Sequence, residues 1–271
     1  MCGRMTLTRS GSEIAEYFAL EMQAEEVADV DGQPLRPRFN IAPSQTIATI
    51  VRTPEGARTL AWKEWGLVPS WSKTRSMRTP LFNARSETAH EKPSFRAAWK
   101  RRRCLVVADG FYEWTPRNRG HQPYHFRPRS SSLLGFAGLF EEWQGEGGEV
   151  VESCTVLTTE ANADLEGIHH RMPVILDSSD FDVWLDPGAE QASLLSLMTA
   201  AAGTLEARAV DRRVNNARID DADCLMPPQD EASDDSRFDA PLTAETKAVE
   251  QGELFGSGDS AKPDPRARGK R

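Results

Sequence analysis

The chain has 271 residues and a formal charge of −8, with 39% hydrophobic and 27% charged residues, enough to bury a sizeable core. No stretch approaches the roughly 18 uninterrupted apolar residues of a membrane span, and Met1 to Ser10 lacks the apolar core of a secretory signal. A cytoplasmic protein with no membrane contact is expected. The four cysteines, Cys2, Cys104, Cys154 and Cys224, lie far apart with no CxxC pair and no histidine at ligand spacing. That argues against structural zinc and disulfides, so no metal or cofactor is expected.

In chain order, helical spacing appears first at Glu13 to Leu20, with Ser12 as the expected cap. Strand-like runs follow at Thr46 to Arg52, Thr59 to Val68, Cys104 to Ala108, Phe111 to Trp114, Gly135 to Glu141 and Glu152 to Thr159. Each is rich in β-branched or aromatic residues and bounded by turn formers. Pro54-Glu55-Gly56 and Gly145 to Gly148 read as hairpin turns. Further helices are expected at Phe95 to Arg102, Ser178 to Leu185 and Gln191 to Ala201. Strands with peripheral helices and no regular βα alternation indicate an α+β fold. From about Pro227 the composition turns polar, acidic and Gly/Pro-rich, so a domain over 2–226 and a disordered tail over 227–271 are expected.

Net negative charge opposes contact with phosphates, but binding depends on where cations cluster. Lys100-Arg101-Arg102-Arg103 is one such cluster, readable as a solvated face or as a binding surface.

The second residue carries distinctive chemistry. Methionine is generally removed before a small residue, which would leave Cys2 with an α-amine and a thiol on adjacent carbons. Their ordinary pKa values, about 8 and about 8.5, leave part of each nucleophilic near neutral pH. Such an aminothiol condenses with an aldehyde to an imine, then closes a thiazolidine ring. The same terminus could instead attack an amide, or Cys2 could be a packed cysteine with no chemistry.

Met1-Cys2-Gly3-Arg4 resembles the start of the SRAP family, the SOS response-associated peptidases that crosslink abasic sites. The resemblance continues in family order through Arg38 to Pro43, Trp65 to Trp71, Asn83 to Glu87, Asp109 to Trp114 and His169 to Pro173. Val214-Asn215 is a weaker match near the domain's end. The resemblance implies a mostly antiparallel, barrel-like mixed sheet with peripheral helices. It implies that Cys2 is the crosslinking nucleophile and that Asn83 holds the sugar or the Cys2 terminus. Glu113 would shuttle protons at the α-amine, and His169 would be the second acid/base group, with His170 structural. Arg4, Arg85, Trp114, Thr158 and Arg171 match positions that contact DNA. The expected partner is single-stranded DNA containing an abasic site, met by a monomer. A single strand can bend into a cleft, whereas a duplex must be deformed.

By residue type alone, Glu113 also reads as a surface carboxylate, Asn83 as a turn former, and Trp65, Trp71 and Trp114 as core residues. Two other functions stay open: a thiol peptidase using Cys2, Glu113 and His169, and a non-catalytic single-strand-binding module. In the tail, Gln251-Gly252-Glu253-Leu254-Phe255 resembles a peptide that docks on the bacterial sliding clamp, with Gln251, Leu254 and Phe255 as its contacts, or else is a chance match in a linker.

Overall fold

The structure is a computed structural model describing residues 2–21, 27–75, 81–116, 118, 120–130, 132–199 and 203–229. All belong to one unit of the chain, ending at Ser233. The tail residues Gln251, Leu254 and Phe255 lie outside the described residues.

The described elements are, in order, β1 (Met5–Leu7), α1 (Gly11–Phe18), β2 (Arg38–Ile41), β3 (Thr46–Arg52), β4 (Arg58–Trp65), β5 (Asn83–Arg85), α2 (Ser86–Ala89) and α3 (Arg96–Arg101). Then come β6 (Arg103–Ala108), β7 (Gly110–Trp114), β8 (Pro123–Pro128), β9 (Leu134–Gln144), β10 (Val150–Glu160), β11 (Arg171–Pro173) and β12 (Ile175–Leu176). Helices α4 (Phe181–Leu185) and α5 (Gln191–Ser196) and strand β13 (Leu205–Ala209) complete the set. The expected long strands are all present, and the α+β class holds. Most hydrogen-bonded pairs are antiparallel; β10 runs parallel to β4 and to β5.

Five strands close on themselves in the order β10-β4-β3-β6-β9, with β9 returning to β10. Ile50, Val106, Phe136, Ala137, Leu139 and Val156 from this barrel are fully buried. Gly138 is required at the β9–β6 contact, because a Cβ there would lie 2.9 Å from Cys104 Sγ. A second sheet has the order β13-β8-β7-β1-β2. Phe111 of β7 stacks on Phe126 at 5.2 Å and meets Phe136 of the barrel edge-to-face at 5.8 Å. That aromatic contact links the second sheet to the barrel.

Two local expectations are corrected. Ser10, not Ser12, caps α1: its hydroxyl accepts from the Glu13 N–H, and the Glu13 carboxylate accepts from the Ser10 N–H at 2.9 Å. This is the reciprocal Ser-x-x-Glu box, which satisfies two otherwise orphaned backbone donors. The segment expected to be helical from Ser178 to Leu185 begins as a 3-10 turn, Ser178–Asp180, before α4.

Candidate active site

Three residues precede β1 among the described positions, and β1 fixes their course. It lies between β2 and β7, with Met5 opposite Phe111 and Thr6 opposite Gly110. The Tyr112 N–H donates to the Arg4 carbonyl at 2.9 Å, extending the pairing toward Cys2. Cys2 therefore runs beside the C-terminal end of β7, where Glu113 stands. Alternation along β7 puts Glu113 on the same face as Phe111, toward the core, and its carboxyl is almost fully buried. Burial pushes Glu113 up to about 7; the chain's terminal ammonium and the Trp114 N–H partly oppose that push. The reading of Glu113 as a surface carboxylate is excluded by this burial.

Cys2 is fully buried. Burial drives its thiol well above the ordinary cysteine value, and Glu113 adds to the rise. The terminal ammonium and a long contact from Sγ to the Arg4 carbonyl, 4.0 Å, act the other way. The sulfur is thus held as a thiol.

Asn83 arrives from the other side of the chain. As the first residue of β5 it pairs with Val156 of β10, and its Nδ2 donates to the Cys2 carbonyl at 2.6 Å. Its Oδ1 is buried and has no hydrogen-bond partner among the described residues. A buried amide oxygen of this kind costs about 1–3 kcal/mol unless something supplies a donor, and an incoming hydroxyl would do so.

His169 sits in the connection from β10 to β11. Its N–H bonds to the Leu165 carbonyl at 3.0 Å, closing a helical turn that starts at Asn162. Nδ1 lies 3.0 Å from the Arg171 N–H and 2.9 Å from the Arg171 carbonyl. The neutral ring can accept from the first and the protonated ring can donate to the second, so one residue serves both states. Burial lowers the His169 pKa, and the terminal ammonium lowers it further. His170 stacks on His169 with ring centres 4.5 Å apart.

The other predicted site residues separate into two groups. Arg85, at the end of β5, is exposed. Arg4 lies over the Trp114 ring at 5.8 Å and donates to Asn40 Oδ1 at 2.6 Å and to the Val214 carbonyl at 2.5 Å. Trp114, half-buried, donates to Asn215 Oδ1 at 2.6 Å. Thr158 and Arg171 are buried instead. Arg171 makes a two-pronged pair with Glu87 at 2.5 and 2.9 Å and also donates to the Thr158 carbonyl, while Thr158 Oγ1 reaches the Ala84 carbonyl at 3.4 Å. These contacts tie β11 and α2 to β10 and so brace Asn83 and His169.

Sequence reasoning missed Asn40, Glu87 and Asp109. Buried Asn40 receives Arg4 and donates to the carbonyls of Val214, Asn216 and Ile219. Asp109 accepts from Thr6 Oγ1, Thr8 N and Thr8 Oγ1, holding β1 against β7. Their positions inside the matched motifs were the available signal. Among the described residues no cluster of three His, Cys, Asp or Glu could hold a metal ion.

A family model described as SOS response associated peptidase (SRAP) matches residues 1–217. The chain belongs to the SRAP family. Over 223 residues this SRAP chain is 38% identical to abasic site processing protein YoqW of Bacillus subtilis (strain 168), spanning 80% of this chain and 96% of that one. It is 35% identical over 194 residues to abasic site processing protein HMCES of Gallus gallus, spanning 63% of this chain and 58% of that one. Among solved structures, a Bordetella bronchiseptica protein is similar with a TM-score of 0.64 and 27% identity, over 78% of this chain and 100% of the other. A Bacteroides thetaiotaomicron protein shares the SRAP chain's fold, with a TM-score of 0.73 and 22% identity over 83% of this chain and 99% of the other.

Proposed function

We propose that this chain takes part in abasic-site DNA repair, as the names of its relatives indicate, by crosslinking to the lesion in single-stranded DNA through Cys2. The observation that carries the reading is the buried Glu113 carboxyl, pushed up to about 7, at the end of β7 beside the Cys2 segment.

Removal of Met1 exposes the Cys2 amine. Glu113 as carboxylate takes a proton from the ammonium, and the free amine attacks the aldehyde carbon of the opened sugar. The carbinolamine then loses its hydroxyl as water, with a proton supplied by Glu113 or His169, and an imine remains. The thiol adds across the C=N bond: sulfur bonds to carbon, and its proton ends on nitrogen. One C–N and one C–S bond form, the C=O bond is lost, and one water leaves. Because amine and thiol share one residue, ring closure is intramolecular and strongly favoured. Asn83 holds the Cys2 carbonyl during these steps and offers Oδ1 to a sugar hydroxyl.

The test is a denaturing gel of purified protein with single-stranded DNA carrying one abasic site, without reductant. A stable adduct that disappears in Cys2→Ala supports the reading. Unshifted DNA together with cleavage of peptides would instead favour the thiol-peptidase reading, which shares the nucleophile and fits the family's description. Docking of residues 251–255 on a sliding clamp is a separate proposal. No binding of a peptide spanning 247–257 at high micromolar concentration would remove it.

A further inference from the structure

The basic run 100–103 divides in the folded protein. Arg103 is buried and donates to the carbonyls of Trp99, Trp184 and Asp186, while Arg102 pairs with Glu141 at 2.7 Å. Lys100 and Arg101 remain exposed.

Lys100 belongs to a row that the linear run conceals. The Phe95 and Arg96 N–H groups both bond to the Lys92 carbonyl, at 2.9 and 2.8 Å, so a turn carries Lys92 onto the start of α3. Arg96 and Lys100 then fall at i and i+4 on one face of α3, and Lys92 stands in the turn just before it. All three are exposed, and none has an acidic partner among the described residues. The nearest carboxylate in sequence, Glu91, faces His90 at 3.4 Å. In a chain of net charge −8, three neighbouring cations without acidic partners form a local attraction for anions that the whole molecule lacks.

An aromatic ring borders this row. Trp71 is 60% exposed, and its Nε1 donates to the Pro93 carbonyl at 3.3 Å, in the row's first turn. One short segment also joins the row to the candidate active site. Asn83 touches Cys2, Arg85 is exposed at the end of β5, α2 follows directly, and the N–H of Lys92 bonds to the Thr88 carbonyl at 3.0 Å. Cations that track a backbone beside an exposed indole are what a single nucleic-acid strand requires, since phosphates seek charge and unstacked bases seek a flat apolar surface.

We propose that the face formed by Lys92, Arg96 and Lys100, with Trp71 at its edge, holds a single-stranded flank of the DNA whose lesion lies at Cys2. This rests on the proposed function, and its test separates the two. Each phosphate contact on a single strand contributes about 0.7 to the slope of log affinity against log salt. Losing three should lower that slope by about 2 and weaken binding at 0.1 M salt by roughly ten- to a hundredfold.

Binding of an undamaged 20-nucleotide single strand is measured by fluorescence anisotropy over a range of salt, for wild type, K92A/R96A/K100A and the charge-preserving K92R/R96K/K100R. Crosslinking is measured with abasic oligonucleotides of about five and about twenty nucleotides. The expected result is a weaker, less salt-dependent triple-alanine variant, rescue in the charge-preserving variant, and loss of any preference for the longer abasic strand. At saturating DNA the triple-alanine variant should reach the wild-type adduct yield. Equal anisotropy curves for wild type and triple alanine would overturn the inference, as would failure of wild type to bind the strand. Absence of adduct in wild type with normal strand binding would overturn the crosslinking reading and leave the flank site to the anisotropy result.

Discussion

The Asn83 side-chain amide donates to the Cys2 carbonyl at 2.6 Å across 81 residues of sequence. It ties the Cys2 segment to the strand pair β5–β10. Asn83→Ala should therefore slow adduct formation by about 10- to 100-fold, the scale on which misplacement by about 1 Å is felt. Stability should fall by only about 1 kcal/mol, the loss of one hydrogen bond. Single-turnover crosslinking and a urea melt measure the two separately. A wild-type rate in Asn83→Ala would mean that the bond has no part in positioning Cys2.

Glu113 should set the pH dependence of the reaction. With its carboxyl pushed up to about 7, the fraction able to accept a proton from the ammonium grows as pH rises through 7. The adduct rate in wild type should climb across that range. Glu113→Gln should be slower and should lack this rise, keeping only the amine's own titration near pH 8. Glu113→Ala should slow crosslinking while still binding DNA. Superimposable pH profiles for wild type and Glu113→Gln would remove Glu113 from the proton transfer.

Two buried groups should also move stability in opposite directions. Glu113 is raised from 4.5 to about 7, so the unfolded carboxyl ionises first and stability is lost as pH rises from about 4.5 to about 7. His125, pushed down by burial from 6.5 to about 4, protonates first in the unfolded chain, so stability is lost as pH falls from about 6.5 to about 4. Each effect is on the order of 3 kcal/mol. They oppose each other in wild type, and single variants uncover them. Denaturant melts at pH 5 and pH 8 should show Glu113→Gln gaining relative to wild type at the higher pH.

Keeping Met1 should abolish crosslinking, because acylated nitrogen cannot form the imine. A chain extended at its N-terminus, with intact mass checked by mass spectrometry, tests this. An undiminished adduct would falsify the thiazolidine chemistry while leaving attack by the thiol alone.

Gly110→Ala should destabilise the second sheet. An added Cβ would lie 2.2 Å from His125 Nε2 and 2.9 Å from the Phe126 carbonyl. The cost should be about 1–3 kcal/mol or more, because the backbone carbonyl cannot swing aside. A melting temperature unchanged from wild type would show that β7 and β8 have room to separate.

The long strands were legible because their pattern is local. Thr46 to Arg52 was delimited to the residue, and Gly110 to Trp114 to within one residue, since β-branched and aromatic runs between turn formers need no distant partner to be recognised. The short strands that carry the site were not legible. Met5–Leu7, Asn83–Arg85 and Arg171–Pro173 have three residues each, too few for any periodicity, and exist because a longer strand supplies their hydrogen bonds.

By itself the sequence supplied the candidate reactive group of the proposal, Cys2 behind Met1, and the residue types able to serve it, because chemistry is written in side-chain identity. Only the tertiary structure decided their states. It buried Glu113 at a strand end and so raised its pKa, brought Asn83 onto the Cys2 carbonyl, and turned Arg171 inward onto Glu87. It also split the run 100–103, taking Arg103 inward onto Trp184 and Arg102 onto Glu141. Each outcome depends on solvent exclusion and on partners tens of residues away, and neither quantity exists until the chain is folded.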